Sequence, residues 1–172
     1  MEKTRRIVID LEMNPVSKGL KTVRANLSRE IIEIGASMID EQDKIVDEFH
    51  CFVKPDFNTC IVPFITNLTG ISYCDVVSAV SLEKALDQLE RWIGYDCETL
   101  VYSWSSADLQ QMTKECEYKG IRMPPNMEHW IDFQSEYYKV MDLDSTCRQL
   151  SLQGSRTVWN YHGRAKNAFC II

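Results

Sequence analysis

What the chain lacks narrows it before any motif is read. No apolar run approaches the roughly 20 residues that cross a bilayer. The opening MEKTRR leads into a strand-like segment with no signal-peptide hydrophobic region behind it. These two absences give the expectation of a cytoplasmic protein with no membrane partner. Basic charge is also scarce: 19 Lys and Arg stand against 25 Asp and Glu, for a net charge of −6 and a pI of about 5.1. Proteins that coat nucleic acid broadly are basic, so that class is excluded. A polyanion handled by this chain must be handled at a small site where metal ions supply the positive charge.

Closely spaced cysteine pairs are missing too. Cys51, Cys60, Cys74, Cys97, Cys116, Cys147 and Cys170 form an odd set of seven with no CxxC. A zinc site or a disulfide framework would show tighter spacings. The thiols are expected to be reduced and mostly buried. There is no linker, internal repeat or low-complexity tract. With 172 residues and 45% apolar side chains, the chain is expected to form one domain over residues 1–172 with a core of its own.

What is present reads as an α/β pattern. RRIVIDL, residues 5–11, is a continuous apolar stretch and predicts a central strand. The segment 14–28, polar and broken by Pro15 and Gly19, predicts a loop. Residues 31–40 and 45–53 predict two more strands around a turn at EQDK, with Asp43 suited to it. Three adjacent strands with short connections predict an antiparallel meander. Leu82, Leu86, Leu89 and Ile93 then recur at helical spacing behind Ser81 as N-cap. TLVYSW (99–104) predicts a strand, 107–119 a helix closed by Gly120, and HWIDF (129–133) a fifth strand. SEYYKVM, STCRQLSL and HGRAKNAFCII predict helical pieces. Strands first, then helices alternating with strands, imply a mixed sheet. Trp92, Trp130, Tyr137 and Tyr138 are expected in the core.

The stretch IVIDLEMNP carries the chemistry. Side chains alternate along a strand, so Asp10 and Glu12 point to one side, roughly 6.5–7 Å apart. Two like charges there repel unless something positive lies between them. A divalent cation does this, and oxygen ligands select Mg²⁺ or Mn²⁺ over softer metals. The competing reading is an alternating strand whose polar face is wet; the unbroken apolar run before Asp10 argues for a buried strand end. Asp108, in SWSSAD, reads either as a helix N-terminal acid facing the dipole or as a partner in the same site. His162, in NYHGRAKNA, reads either as a surface histidine or as a base, since its ordinary pKa lies near neutrality.

Taken in order, these segments resemble the DnaQ-like, DEDDh-type 3′-to-5′ exonucleases, nearest to the Eri-type and KapD-like RNA exonuclease branch. VIDLEMN resembles the first motif, and REIIEIGASMID the strand that follows it. FVKPDFNTCIVPFITNLTGIS resembles the family's V-x-P … L-T-G-I segment almost position for position. VYSWSSADLQQM resembles the second motif, S-W-G-x-W-D, with Ser105 and Ala107 in place of its glycine and second aromatic. HWIDFQSEY resembles the stretch before the third motif. Each motif is weak alone; the ordered set, over about residues 5–172, is specific.

The resemblance implies an RNase H-like exonuclease fold, a five-stranded mixed sheet flanked by helices. It implies two Mg²⁺ or Mn²⁺ ions roughly 3.5–4 Å apart. Asp10 would bridge both, Glu12 would bind the ion carrying the nucleophilic water, Asp108 would hold the other, and His162 would be the general base. Met13, Leu68 and Trp104 resemble positions lining the pocket for the 3′-terminal nucleotide; core packing is the competing reading for Leu68 and Trp104. Lys18, Lys21 and Arg24 either approach phosphates or belong to a solvated loop.

The third motif departs from the family. The fifth residue after His162 is Asn167 where the family has Asp, and Lys166 replaces the acid before it. Three explanations stay open: an engineered change, which leaves Lys166 unaccounted for; a degenerate member that binds without cutting; or a weakly active enzyme in which a neighbouring acid or water completes the shell. An alignment with Asp142 or Asp144 as the fourth acid has no matching histidine spacing. Losing a ligand or its close support costs on the order of 10–100-fold or more. The expected function is metal-dependent 3′-to-5′ hydrolysis of single-stranded nucleic acid, RNA ahead of DNA. The alternatives are an impaired homologue that binds 3′ ends as a sensor or adaptor, and a scaffold that keeps only the fold.

Overall fold

The computed structural model describes residues 4–58 and 60–140. Its spine is β1 (Thr4–Pro15), the middle of a five-stranded sheet in the order β3-β2-β1-β4-β5. β2 (Arg29–Ile39) and β3 (Ile45–Phe52) run antiparallel to their neighbours, the predicted meander. β4 (Glu98–Ser103) and β5 (His129–Asp132) add parallel pairs on the other side, so the sheet is mixed as expected. Asp43 takes φ 59 in the β2–β3 turn, a left-handed conformation that a short polar side chain tolerates.

The apolar run explains why β1 is central. Ile7, Ile9 and Leu11 are buried against α4 (Leu82–Ile93) and α5 (Ser106–Lys119), through Leu86, Leu89, Ile93, Met112 and Cys116. The helical spacing read from the sequence is borne out: Leu82, Leu86, Leu89 and Ile93 all face this core, and Ser81 caps the helix by accepting the Lys84 N–H. Gly120 ends α5 with φ 66, where a Cβ would be strained. A second, smaller core gathers Ile32, Ile61, Ile71 and Val76 with Phe52 and Ile65. It lies beneath two short helices, α2 (Pro63–Thr69) and α3 (Tyr73–Val77). The last helix is α6 (Phe133–Val140).

Three expectations are corrected. The loop predicted over 14–28 is shorter. β1 continues to Pro15, which pairs with Arg29, and α1 (Lys21–Asn26) occupies the middle. Pro15 is admitted because it ends the strand. Helix α1 has no capping side chain; its own Arg24 ties it to the preceding segment, the guanidinium donating to the Val16 carbonyl at 2.7 Å. The cysteines are free but not mostly buried: of the five in the described residues, only Cys116 is buried, while Cys60 and Cys74 are exposed. Those two sit on a loop and a one-turn helix, where no facing layer covers them. The aromatics expected in the core are there in part: Tyr137 is buried, Trp92 and Trp130 pack half-buried against the main core, and Tyr138 is half-buried. The helical pieces predicted after residue 140 lie outside the described residues.

An ionic knot fastens α5 to the sheet. Glu30 and Glu115, both fully buried, share the Lys119 ammonium at 3.1 and 2.8 Å, and Asp56 joins it at 2.7 Å. Glu30 also accepts the backbone N–H groups of Asp56, Phe57 and Asn58, and Glu115 accepts that of Ile31. Burial pulls the Lys119 pKa down, but Glu115, Asp56 and Glu30 outweigh it and hold it above the ordinary lysine value. The lysine stays charged, as a buried ion with three partners must.

Candidate active site

Alternation delivers the first two acids. Ile7, Ile9 and Leu11 enter the core, so Asp10 and Glu12 share the opposite face and are half-buried. The strand's register shift falls between Glu12 and Met13, after both acids, so their shared orientation survives it. Directly across from Glu12 on β2 stands Glu33. Like charges facing each other across a ladder are destabilising. Glu33 is also in hydrogen-bond contact with His50, whose Nε2 lies 2.5 Å from its Oε1.

The third acid comes from the first turn of α5. Ser105 caps α5 by accepting the Ala107 N–H at 3.3 Å, which sets Asp108 in the first turn. The cap is braced. Ser103 donates to the Ser105 carbonyl at 2.6 Å and accepts the Trp130 indole N–H at 2.7 Å. Asp132, at the end of β5, accepts the backbone N–H groups of Ser106 and Ser135 at 3.1 and 2.9 Å. The Asp108 side chain is buried, and the Leu11 N–H on β1 donates to its carboxylate.

The electrostatics bind these acids into one site. Burial and then the Asp10 charge raise the Asp108 carboxyl to about 6, against the lowering pull of the Leu11 and Asp108 N–H groups and Arg29. Burial lifts Glu12 to about 7, with Asp10, Glu33 and Asp108 all adding repulsion. Asp10 is raised by burial and then by Glu33. Carboxyls raised together by burial and by neighbouring acids are a functional-site signature. The site's donors are all carboxylate oxygens, the set that suits a hard divalent cation. Among the described residues no three such side chains converge on one point. Asp10, Glu12 and Asp108 therefore do not by themselves form a group that could hold a metal ion.

The other predicted residues divide. His162 and Asn167, with Lys166, lie outside the described residues. Met13 packs half-buried against the core beside Glu12. Trp104 is half-buried ahead of α5, its ring 6.1 Å from Phe133 and 6.4 Å from Tyr137, centroid to centroid. Leu68 does not pack in the core: it is 68% exposed on α2, one turn after an equally open Phe64. Lys18 and Lys21 are exposed, whereas Arg24 is committed to Val16. Sequence reasoning missed Glu33, although a glutamate inside the apolar run IIEIG was a signal that this strand borders a polar site. It also missed the fully buried Asn14.

The Exonuclease family model matches residues 7–164. The chain belongs to the exonuclease family. The match takes in Asp10, Glu12, Asp108 and His162 and ends before Lys166 and Asn167. ERI1 exoribonuclease 2 of Xenopus laevis is 29% identical over 153 residues, covering 76% of this chain and 22% of the relative. The chain spans about a fifth of the length of the first curated relatives it matches. The nuclease domain of 3′hExo, a DEDDh family member bound to rAMP, superimposes with a TM-score of 0.70 at 22% identity, covering 81% of this chain and 72% of that one. Cell-death related nuclease 4 superimposes with a TM-score of 0.70 at 19% identity over 95% of this chain and 58% of that one. The fold is thus the RNase H-like exonuclease fold, and within the exonuclease family the chain is similar to exoribonucleases of Eri type.

Proposed function

We propose that the chain is a metal-dependent 3′-to-5′ exoribonuclease that removes nucleotides from the 3′ end of single-stranded RNA, with DNA a poorer substrate. The observation that carries this reading is the mutual influence of the acids on and beside the central strand: burial raises Asp10, Glu12 and Asp108 alike, the Asp10 charge adds to the rise at Glu12 and Asp108, and Glu33 adds to that at Asp10 and Glu12. The family membership and the RNA-directed names of its relatives point the same way. In this reading Asp10, Glu12 and Asp108 hold two Mg²⁺ or Mn²⁺ ions, with Asn167 at the family's fourth acidic position. When bound, the ions neutralise the acids and the developing charge on the phosphate. His162 takes the proton from the attacking water as the bond from phosphorus to the 3′-oxygen breaks. Met13, Leu68 and Trp104 hold the terminal nucleotide. The whole is one domain working in the cytoplasm.

A second reading is a homologue that keeps 3′-end binding and has lost turnover. Asn167 and Lys166 favour it, because a neutral amide and a cation stand where the family has acids. One assay separates the two: shortening of a 5′-labelled single-stranded RNA with Mg²⁺ or Mn²⁺, and with chelator. Stepwise shortening that stops in chelator, and falls by about 100-fold or more in Asp10→Ala, supports the enzyme. Turnover only in Asn167→Asp supports the binder. Absence of both turnover and binding in every variant rejects both readings.

A further inference from the structure

We propose that Asn14 is a positioning residue that fastens the helix carrying Leu68 to the end of the strand carrying Asp10 and Glu12. The nucleotide-facing wall and the acids then move as one body. The inference rests on the function proposed above.

Asn14 follows Glu12 by two residues, yet it is fully buried while both acids are half-open. The register shift there skips Ile32 on β2 and leaves the alternation of β1 intact: Met13 joins Ile7, Ile9 and Leu11 at the main core, and Asn14 stays on the side of the acids, where the segment from Asn58 to Val62 bonds to it. The buried amide spends its capacity on one distant loop. Its Nδ2 donates to the carbonyls of Asn58 and Cys60 at 3.1 and 3.2 Å, and its Oδ1 accepts the Val62 N–H at 3.1 Å. A primary amide has two donors and two acceptor sites, so three of four are filled. The loop answers from its own side: Asn58 Nδ2 donates to the Pro15 carbonyl at 2.7 Å.

The receiving end is informative. Val62 is the N-cap of α2 and offers no capping side chain, and Pro63 after it has no N–H. Asn14 therefore holds the entry residue of the helix that presents Phe64 and Leu68, both largely exposed. The upstream half of the loop is held separately, by Glu30 through the N–H groups of Asp56, Phe57 and Asn58. Removing the Asn14 amide thus frees the part that leads into α2 and leaves the rest pinned. Shape alone does not call for asparagine here; two carbonyls and an N–H do.

The test uses the whole chain, with Asn14→Ala, Asn58→Ala and, as a control for general destabilisation, Leu89→Ala in the main core. Hydrogen exchange, 5′-AMP binding in the presence of Mn²⁺, and RNA turnover are measured on each. Exchange in Asn14→Ala rises over residues 61–69 and not over 56–58. The AMP Kd and the RNA KM rise by about 5–10-fold, kcat changes by less than about twofold, and Mn²⁺ affinity holds. Asn58→Ala behaves alike, and the double variant adds little. Leu89→Ala lowers Tm without moving Kd or KM. Unchanged exchange over 61–69, a loosened α2 that binds AMP as well as wild type, or the same KM shift in Leu89→Ala overturns the inference alone. A wild type that binds neither AMP nor RNA overturns the proposed function and this inference with it.

Discussion

Glu12 carries the heaviest electrostatic load of any single residue in the site. Burial and three neighbouring acids raise its carboxyl from an ordinary 4.5 to about 7, and Asp108 is raised to about 6. A carboxyl that folding makes harder to ionise stabilises the fold only while protonated. Its contribution is intact below the unfolded value, near 4.5, and is lost as pH rises through the folded value, near 7. In chelator, Tm should therefore fall between pH 5 and pH 8. Adding Mn²⁺ should restore more stability at pH 8 than at pH 5, because ions bind the ionised form. Glu12→Gln should flatten the chelator slope; an identical slope in that variant would assign the effect to other groups. At this scale the sequence was legible wherever alternation governs. Asp10 and Glu12 sharing a face followed from period two. Glu33 did not, because facing pairs depend on strand register, and Asn14 did not, because the loop that bonds to it is more than 40 residues further along the chain.

Among the elements, α5 ties the site to the sheet, since it carries Asp108 at one end and the ionic knot at the other. Glu30 and Glu115 have no access to water, so Lys119 is what makes their charges tolerable. Lys119→Met should leave two buried carboxylates unpaired and cost about 3–5 kcal/mol, read as a shift in the urea midpoint with m unchanged. A cost under about 1 kcal/mol would mean that the knot is solvated in solution. Helices α4 and α5 were readable because long apolar periodicity and caps agree. Helices α1, α2 and α3 were not. Runs of six, seven and five residues offer too few turns for periodicity; α1 is tied to Val16 through Arg24, α2 to Asn14 through Val62, and α3 is closed by its own Ser72–Asp75 capping box.

For the whole molecule, the sheet links residues from Thr4 to Asp132 in a single ladder, and the main core draws on β1, β2, β4, α4 and α5. The chain should unfold as one unit, with calorimetric and van't Hoff enthalpies equal. Two separated transitions would argue for a boundary inside the chain. Among the described residues no helix is long and apolar enough to cross a membrane.

The sequence by itself determined the mixed sheet, the order of its elements, the two long helices and the family. Each of these rests on local period, caps and the succession of motifs along the chain. Only the tertiary structure decided which groups meet. Asp108 reaches the Leu11 N–H because β4 lies beside β1, and Lys119 finds Glu30 because α5 crosses β2. Asn14 reaches Val62 because the strand end and the loop are packed together, 48 residues apart in the chain. Distances of that kind are set by packing, and no local pattern encodes them.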